Sequence, residues 1–274
     1  VKLLLTHGEE SNRRIERGLE AHGVDCVTFE TSGRAYSLNE TVDADVGLVY
    51  PSRLAEGGVM DALGGISWVN DATDVLTTRN KARTVALLNR AGVPVPETRY
   101  LSSPVSDEEV RAAFDEVGSP AVVKPNSASS GRGAALVHEA DTATGVADLF
   151  GVVHESSLVE DRSFLVQEYV KDARDFRIMV VGGEYVGAVE RVADGWKKNV
   201  HAGAEPRGVN PPDEVREVAV EAARALDVGF CGVDVLYGDG ATVNEVNARP
   251  TVDDSEKYED GFYRILARLA KDAE

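Results

Sequence analysis

From Val1 to about position 70, short apolar runs alternate with amphipathic ones. The runs "KLLLT", "VDCVTFE", "VGLVY" and "ISWVN" read as strands, while the segment around Ile15 and Leu19 and the stretch ending at Leu63 read as helices. Strand–helix alternation of this kind predicts a small open domain with a parallel sheet. One long helical period then runs from about Thr73 to Arg90 and stops at "AGVPVPE". From Ala121 the pattern turns β-rich, with "AVVKP", "AALVH", "FLVQEYV", "FRIMVVGG" and "EYVGAVERV". A helix over roughly 213–227 and a terminal helix carrying Ile265, Leu266 and Leu269 complete the chain. The pattern divides into three pieces, 1–78, 79–166 and 167–274.

One stretch breaks the apolar rule. In "GVDVLYGDGATVNEVNARP", residues 232–250, two β-branched runs flank Asp239-Gly240, yet acids stand at Asp234 and Glu245 inside the runs. Asp-Gly between such runs is a strong hairpin signal, and a two-residue turn sets Asp234 opposite Glu245, with Asn247 on the same face. Two carboxylates that close repel unless a cation lies between them. An all-oxygen set of Asp, Glu and Asn suits Mg²⁺ or Mn²⁺. A solvent-facing hairpin decorated with acids is the competing reading. Counting from Gly182-Gly183 in "RDFRIMVVGGEYVGAVER" places Asp175, Arg177 and Glu190 on one face, with Arg191 on the other. Buried charges need partners, so that face is either wet or a site.

Charge narrows the partners. The 274 residues carry 47 acids against 29 bases, a formal charge of −18, which excludes nucleic acid or an anionic membrane as the main partner. Only eight of the 29 bases are lysine. An acid-rich, lysine-poor surface points to concentrated salt as the working medium, where a Debye length of about 3 Å at 1 M screens self-repulsion. Two cysteines far apart in sequence, Cys26 and Cys231, indicate neither a disulfide framework nor a zinc site, and a reducing cytoplasm is expected. Neither a membrane-spanning apolar stretch nor a signal-peptide pattern is present.

Where lysine is scarce, its placement is informative. Lys124 ends the apolar strand "AVVK" and precedes the small-residue loop "NSASSGRGAAL". An ammonium beside a loop whose backbone N–H groups approach closely is a way to hold phosphates. No Gly-Lys-Ser/Thr closes the loop, so it is no Walker A motif, and no GxGxxG opens a helix. A strand-end lysine beside a plain turn remains the alternative. Lys197, Lys198 and Asn199 in "GWKKNVH" put paired cations in a loop, which suits an anion or only counter-charges. His7 and His201 lie near strand tops or loops and receive no role.

Taken in order, "VVKP" with its loop, "VQEYV", "DFRIMVVG", "AVERV" followed by "KKN", "GVDVL" and "EVNARP" resemble the ATP-grasp carboxylate–amine ligases, above all the RimK-type glutamate ligases. The likeness runs from about residue 50 to 265 and includes "NDATDVLTTRNKARTVALLNRAGVPVPET". It implies an ATP-grasp fold: an N-terminal parallel α/β domain, a central lid subdomain, and a C-terminal β-rich subdomain for ATP and Mg²⁺. Lys81 and Lys124 would contact ATP phosphates, Gln167, Glu168, Tyr169 and Val170 would form the strand that holds adenine, and Asp175 would meet the ribose or the ATP edge. Ser130, Gly131 and Gly133, with Lys197, Lys198 and Asn199, would lie over the triphosphate. Asp234, Glu245 and Asn247 match the family's magnesium ligands. Arg249 and Arg177 would grip an acylphosphate or a substrate carboxylate and Arg53 a second carboxylate, because a planar guanidinium suits bidentate contact. The family places Arg191 with Arg177, against the two-residue-turn count. The loops depart from the family in being Ser/Ala-rich with only Gly131 and Gly133, and in the single glycine of "NVHAGAEP".

The chemistry so implied is ATP- and Mg-dependent amide formation through an acylphosphate, adding glutamate or another amino acid to a small molecule, peptide or protein tail. An ATP sensor or scaffold with the same fold is the second reading, less favoured because sensing needs no aligned Mg²⁺. Homo-oligomerisation stays open.

Overall fold

The computed structural model describes residues 1–29, 35–128, 131–156, 161–193, 195–197, 205–254, 257–258 and 261–274, without the side chains of 154–156 and 205. Its first sheet is parallel, built from β1 (Lys2–Leu5), β2 (Asp25–Thr28), β3 (Val46–Val49) and β4 (Ser67–Asn70) in the order β2-β1-β3-β4. β1 and β3 hold the centre and read as unbroken apolar runs because both faces are covered; all four residues of β3 are buried. The helices α1 (Glu9–Glu20) and α2 (Leu54–Gly64) follow β1 and β3. Between β1 and β3 the strand order reverses, so the sheet has a switch point at their carboxyl ends.

The single helix expected from Thr73 to Arg90 is two helices, α3 (Ala72–Arg79) and α4 (Lys81–Arg90). Asn80 breaks them. It closes α3 in an extended conformation and caps α4, its side chain accepting from Arg83 N, the local bond that makes Asn a poor interior residue and a good N-cap. Periodicity continues through the break because both helices bury the same side. The break puts Lys81 at the first position of α4, against Asn126.

The second sheet is antiparallel, with β5 (Thr98–Ser102), β6 (Ala121–Pro125), β7 (Ala135–Val137) and β8 (Ser163–Glu168) in the order β5-β8-β6-β7. α5 (Asp107–Val117) and α6 (Ala140–Ser156) pack on it around a core of its own that includes Phe114, Val123, Phe150 and Phe164. The third sheet, also antiparallel, has the order β11-β10-β9-β12-β13, from β9 (Arg174–Val181), β10 (Glu184–Val192), β11 (Glu205–Gly208), β12 (Phe230–Tyr237) and β13 (Ala241–Asn247). α7 (Asp213–Leu226) and α8 (Phe262–Asp272) complete it. No helix among the described residues is long and apolar enough to cross a membrane.

Two bulges decide which side chains share a face in the third sheet. The β12–β13 turn is not the expected two-residue one: Tyr237 pairs with Ala241, leaving Gly238, Asp239 and Gly240 between them. That alone shifts the register by one. Asn244 then bulges from β13, so that Val235 faces Val243 but Asp234 faces Glu245 and Gly232 faces Asn247. The two departures cancel. In β9–β10 only one occurs, at Val186, between the Tyr185–Val180 and Gly187–Met179 pairs. Glu190 therefore faces Phe176, not Asp175, and turns to the opposite side, where Arg174 binds it bidentately (both 2.8 Å). Arg191 takes the place expected for Glu190, on the face of Asp175 and Arg177. The bulge is possible because Gly187 adopts φ +144° and lets the backbone of Tyr258 approach to where a Cβ would lie 2.7 Å from its Cα.

The first and third sheets share one core, joining Leu3, Leu5, Val46 and Leu48 with Ile178, Val180, Phe230 and Leu266. Asn70, fully buried at the end of β4, ties that junction. Its Nδ2 donates to the carbonyls of Phe230 and Ala248, and its Oδ1 accepts from Phe230 N at 3.0 Å. Asn70→Ala strands buried backbone groups on both strands of the acid hairpin and should cost on the order of 2–4 kcal/mol in denaturant unfolding. A loss under about 1 kcal/mol would show that the junction does not depend on this amide.

Candidate functional site

Between the second and third sheets lies a cavity of about 360 Å³. One wall is the end of β8 and its continuation, Gln167, Glu168, Tyr169 and Val170; the floor is the charged face of β9, β10, β12 and β13; Lys81 and Lys124 enter from α4 and β6. Val122 and Leu236 give it apolar surfaces, and Gly131 and Lys197 lie at its loops.

The floor is an ionic lattice. Arg177 holds Asp234 by two parallel bonds, Nε to Oδ1 at 2.5 Å and Nη2 to Oδ2 at 2.8 Å. Arg191 Nη1 lies 3.1 Å from Asp234 Oδ2, while its Nε and Nη2 both reach Asp175 Oδ1, at 3.1 and 2.5 Å. Burial alone would drive Asp234 neutral, but the two guanidiniums outweigh it and hold its pKa below the ordinary value. At Asp175 burial wins, and its pKa rises to about 6 despite Arg191. The hydrogen-bond network orients the Asn247 amide so that its N donates to Glu245 Oε1 and its O accepts from Arg177 Nη2, each at 3.2 Å.

The lysines differ from the arginines in having their charges less fully matched. Lys124, 9 % exposed, donates to Gln167 Oε1 at 2.7 Å and Asn244 Oδ1 at 3.4 Å, both neutral, and no ion pair to it occurs among the described residues. Burial lowers its pKa to about 8. Thr98 Oγ1 accepts from Gln167 Nε2 at 2.9 Å and so turns the amide oxygen toward the lysine. Lys81 donates to the Ala128 carbonyl and lies 3.8 Å from Glu245.

Most residues marked in the sequence thus meet here: Lys81, Lys124, Gly131, Gln167, Glu168, Tyr169, Val170, Asp175, Arg191, Lys197, Asp234 and Glu245 line the one cavity. Arg177 and Asn247 lie beside it, bonded to Asp234 and Glu245. Gly133 is instead packed on Pro125. Arg249 is bonded to the first sheet, donating to Tyr50 O (2.6 Å) and Thr6 O (2.7 Å). Arg53 is exposed and paired with Glu56. Ser130, Lys198, Asn199 and His201 fall outside the described residues. Sequence reasoning missed Asn244, Thr98 and the apolar walls. No period marks Asn244, because a bulged residue belongs to neither face.

The donor set fits a hard divalent ion. Asp234 is ionised, Glu245 is its cross-strand neighbour, and Asn247 adds an amide oxygen, with no sulfur or imidazole among them. Two carboxylates and an amide are too few to hold the ion alone, and no cluster of three or more His, Cys, Asp or Glu able to do so occurs among the described residues. Mg²⁺ characteristically completes such a set with substrate phosphates and water.

Removing one member of the lattice should reveal its cost. Arg191→Met leaves Asp175 and Asp234 under-neutralised and should destabilise by about 3–5 kcal/mol at pH 8. Asp175 binds its proton more tightly folded (about 6) than unfolded (ordinary value 3.8), so its penalty is absent in acid and grows as pH rises through that window. The variant's deficit should therefore shrink at pH 5, as read by urea unfolding at both pH values; equal deficits would refute the assignment.

Comparison with known proteins identifies the family. A model described as "RimK-like ATP-grasp domain" matches residues 78–262. The chain is 31 % identical over 202 residues to a probable α-L-glutamate ligase of Maridesulfovibrio salexigens, covering 72 % of this chain and 64 % of that protein. It is 34 % identical over 195 residues to the ribosomal protein bS6–L-glutamate ligase of Shigella boydii, covering 69 % and 62 %. These alignments span less than two thirds of either relative. Its fold superposes on a RimK domain ATP-grasp protein from Sphaerobacter thermophilus with a TM-score of 0.69 at 25 % identity, over 100 % of this chain and 99 % of the other. The parallel first sheet and the antiparallel second and third sheets accord with that match, and the chain belongs to the RimK-like ATP-grasp family.

Proposed function

We propose that the chain is an ATP- and Mg²⁺-dependent ligase that joins a carboxylate to an amine, with L-glutamate as the amino acid. The observation that carries this reading is the meeting of two buried lysines, one without an ion-pair partner among the described residues, with an all-oxygen acid pair across one cavity. Lys124, held by neutral amides, awaits an anion, and Glu245, 3.8 Å from Lys81 and bonded to no arginine among the described residues, awaits a divalent cation. Mg²⁺-ATP supplies both. The relatives' names, both glutamate ligases, support the choice of amino acid.

In this reading Gln167 to Val170 hold adenine between the apolar walls of Val122 and Leu236, and Asp175 faces the ribose. Lys81, Lys124, Gly131 and Lys197 lie along the phosphates. A bound Mg²⁺ would supply positive charge against the charge that develops on the transferred phosphoryl group. Asp234, Glu245 and Asn247 would hold it. Arg177 has both near nitrogens on Asp234, so it positions that carboxylate, and Arg191 does so while facing the cavity. Arg249, bonded among the described residues only to neutral oxygens, keeps its charge for a substrate carboxylate. The carboxylate takes the γ-phosphoryl group, giving an acylphosphate and ADP; the amine then attacks the acyl carbon and phosphate leaves. The protein contributes position and charge. Acceptors are small molecules or peptide tails, and the acidic, lysine-poor composition supports a salt-rich cytoplasm as the setting.

The test is ADP and phosphate release with Mg²⁺ in molar KCl across amino acids, peptides and acidic metabolites, with mass spectrometry of the products. Release dependent on both a carboxylate and an amine, with an amide mass, is expected. Glu245→Gln, which breaks no arginine hydrogen bond among the described residues, should lower kcat by at least about a hundredfold without unfolding the protein. Nucleotide binding with no turnover on any acceptor would return the sensor reading.

Nucleotide binding should also depend on pH. The free-state Lys124 loses its proton near pH 8, whereas a bound polyphosphate favours the ammonium. Affinity should be flat below pH 8 and fall about tenfold per unit above it, with uptake of up to about one proton on binding. Calorimetry in buffers of different ionisation enthalpy measures this. Lys124→Arg should abolish the uptake; uptake unchanged in that variant would place the titrating group elsewhere.

A further inference from the structure

The acid pair of the third sheet is already furnished with cations, and unevenly. A carboxylate offers about four lone-pair positions. On Asp234 three are taken, Oδ1 by Arg177 Nε and Oδ2 by both Arg177 Nη2 and Arg191 Nη1. Glu245, opposite it across the strands, is bonded to no arginine among the described residues; the Asn247 amide N donates to its Oε1, and its cation is Lys81, 3.8 Å away. Most of the pair's capacity for a further cation therefore lies on Glu245, beside Lys81.

Lys81 stands where a lysine is not favoured by its own helix. It is the first residue of α4, whose first turn carries no acid, so it belongs to the positive end of the helix. It is 9 % exposed, and water screens it little. Its Nζ donates to the Ala128 carbonyl, and Glu245 is the single carboxylate within ion-pair reach among the described residues. Burial and then the charge of Lys81 lower the pKa of Lys124, so the two ammonium groups repel one another across the opening.

The lattice carries more positive charge than negative. Arg177, Arg191, Lys81 and Lys124 are four positive groups against the three negative ones, Asp175, Asp234 and Glu245. A free divalent ion between Asp234 and Glu245 would raise the excess from one charge to three, beside an ammonium that already attends Glu245. A polyphosphate reverses the sign. It gives Lys81 a second partner within the swing of its four-carbon stem and leaves Glu245 with an unmatched charge.

We propose that Lys81 is the standing counter-ion of Glu245 and closes the acid pair to free divalent ions until a polyphosphate draws it away. Metal and nucleotide then enter as one unit, each raising the other's affinity. This role rests on the ligase reading for the choice of Asp234, Glu245 and Asn247 as metal ligands. In it Lys81 is a positioning residue, acting through Glu245.

Mn²⁺ is the probe, titrated without nucleotide into the full chain in molar KCl, with the free ion read by its paramagnetic resonance. The parent protein should bind no Mn²⁺ below about 1 mM. Lys81→Met and Lys81→Gln should each bind it at least about tenfold more tightly than the parent, and Lys81→Arg no more tightly. The glutamine keeps a donor for the Ala128 carbonyl, so a gain shared by both neutral variants reports the lost charge and not a disturbed fold. Adding Glu245→Gln to Lys81→Met should abolish the gain. Parent binding tighter than about 1 mM, a gain below about tenfold in either neutral variant that melts with the parent, an equal gain in Lys81→Arg, or a gain that survives Glu245→Gln overturns the proposal. ADP release by the parent with Mn²⁺, with free-ion affinity unchanged in Lys81→Met, would refute the counter-ion role alone. The expected gain, without ADP release by the parent on any acceptor, would refute the ligase reading alone.

Discussion

A carboxylate buried in the middle of a sheet stays ionised only if something holds its charge, and the site of this protein is organised around that requirement. Asp234 is 3 % exposed and is gripped by Arg177 on one side and Arg191 on the other. Well-packed apolar residues would serve stability as well or better. The lattice is intelligible as a means of presenting one fixed, charged oxygen pair to a cavity. Arg191, shared between Asp234 and Asp175, couples the hairpin of the acids to the hairpin of the arginines.

Backbone irregularity makes that lattice possible. Without the bulge at Val186, Arg191 would point to the far side of the sheet and Glu190 would add a fourth carboxylate to the near side. Without the bulge at Asn244, the three-residue turn would separate Asp234 from Glu245. Each bulge re-aims a side chain, and the freed Asn244 amide is used to hold Lys124. Gly187 permits one of them because no other residue would let the Tyr258 backbone so close.

The second sheet has a core of its own, whereas the first and third are packed as one and laced by Asn70. The cavity beside Asp234 therefore lies between separately packed bodies, while the carboxyl ends of β1 and β3 are fixed relative to the acid hairpin. Arg249 belongs to both neighbourhoods, following β13 in sequence and bonding to the ends of β1 and β3.

Sequence alone determined the elements and the chemical types. Alternating strands and helices gave the parallel sheet, β-branched runs gave the antiparallel ones, and acids placed against the apolar rule marked Asp234 and Glu245. Those signals are local: periodicity and residue chemistry need no knowledge of what lies across the fold. The Asp234–Glu245 pairing was legible only because two errors of one residue cancelled; the same count failed at Glu190, where a single bulge was not offset. The cap at Asn80 was legible in residue type and hidden by a periodicity that ran through it. Tertiary structure alone decided that Arg191 joins the site, that Asn244 and Thr98 orient the lysine and its amide, and that the His7 ring nitrogens and Asn12 Oδ1 have no partner among the described residues. A bulge depends on what packs against the strand, and an unmet hydrogen bond on every group within reach, so neither is written in any stretch of the chain read by itself.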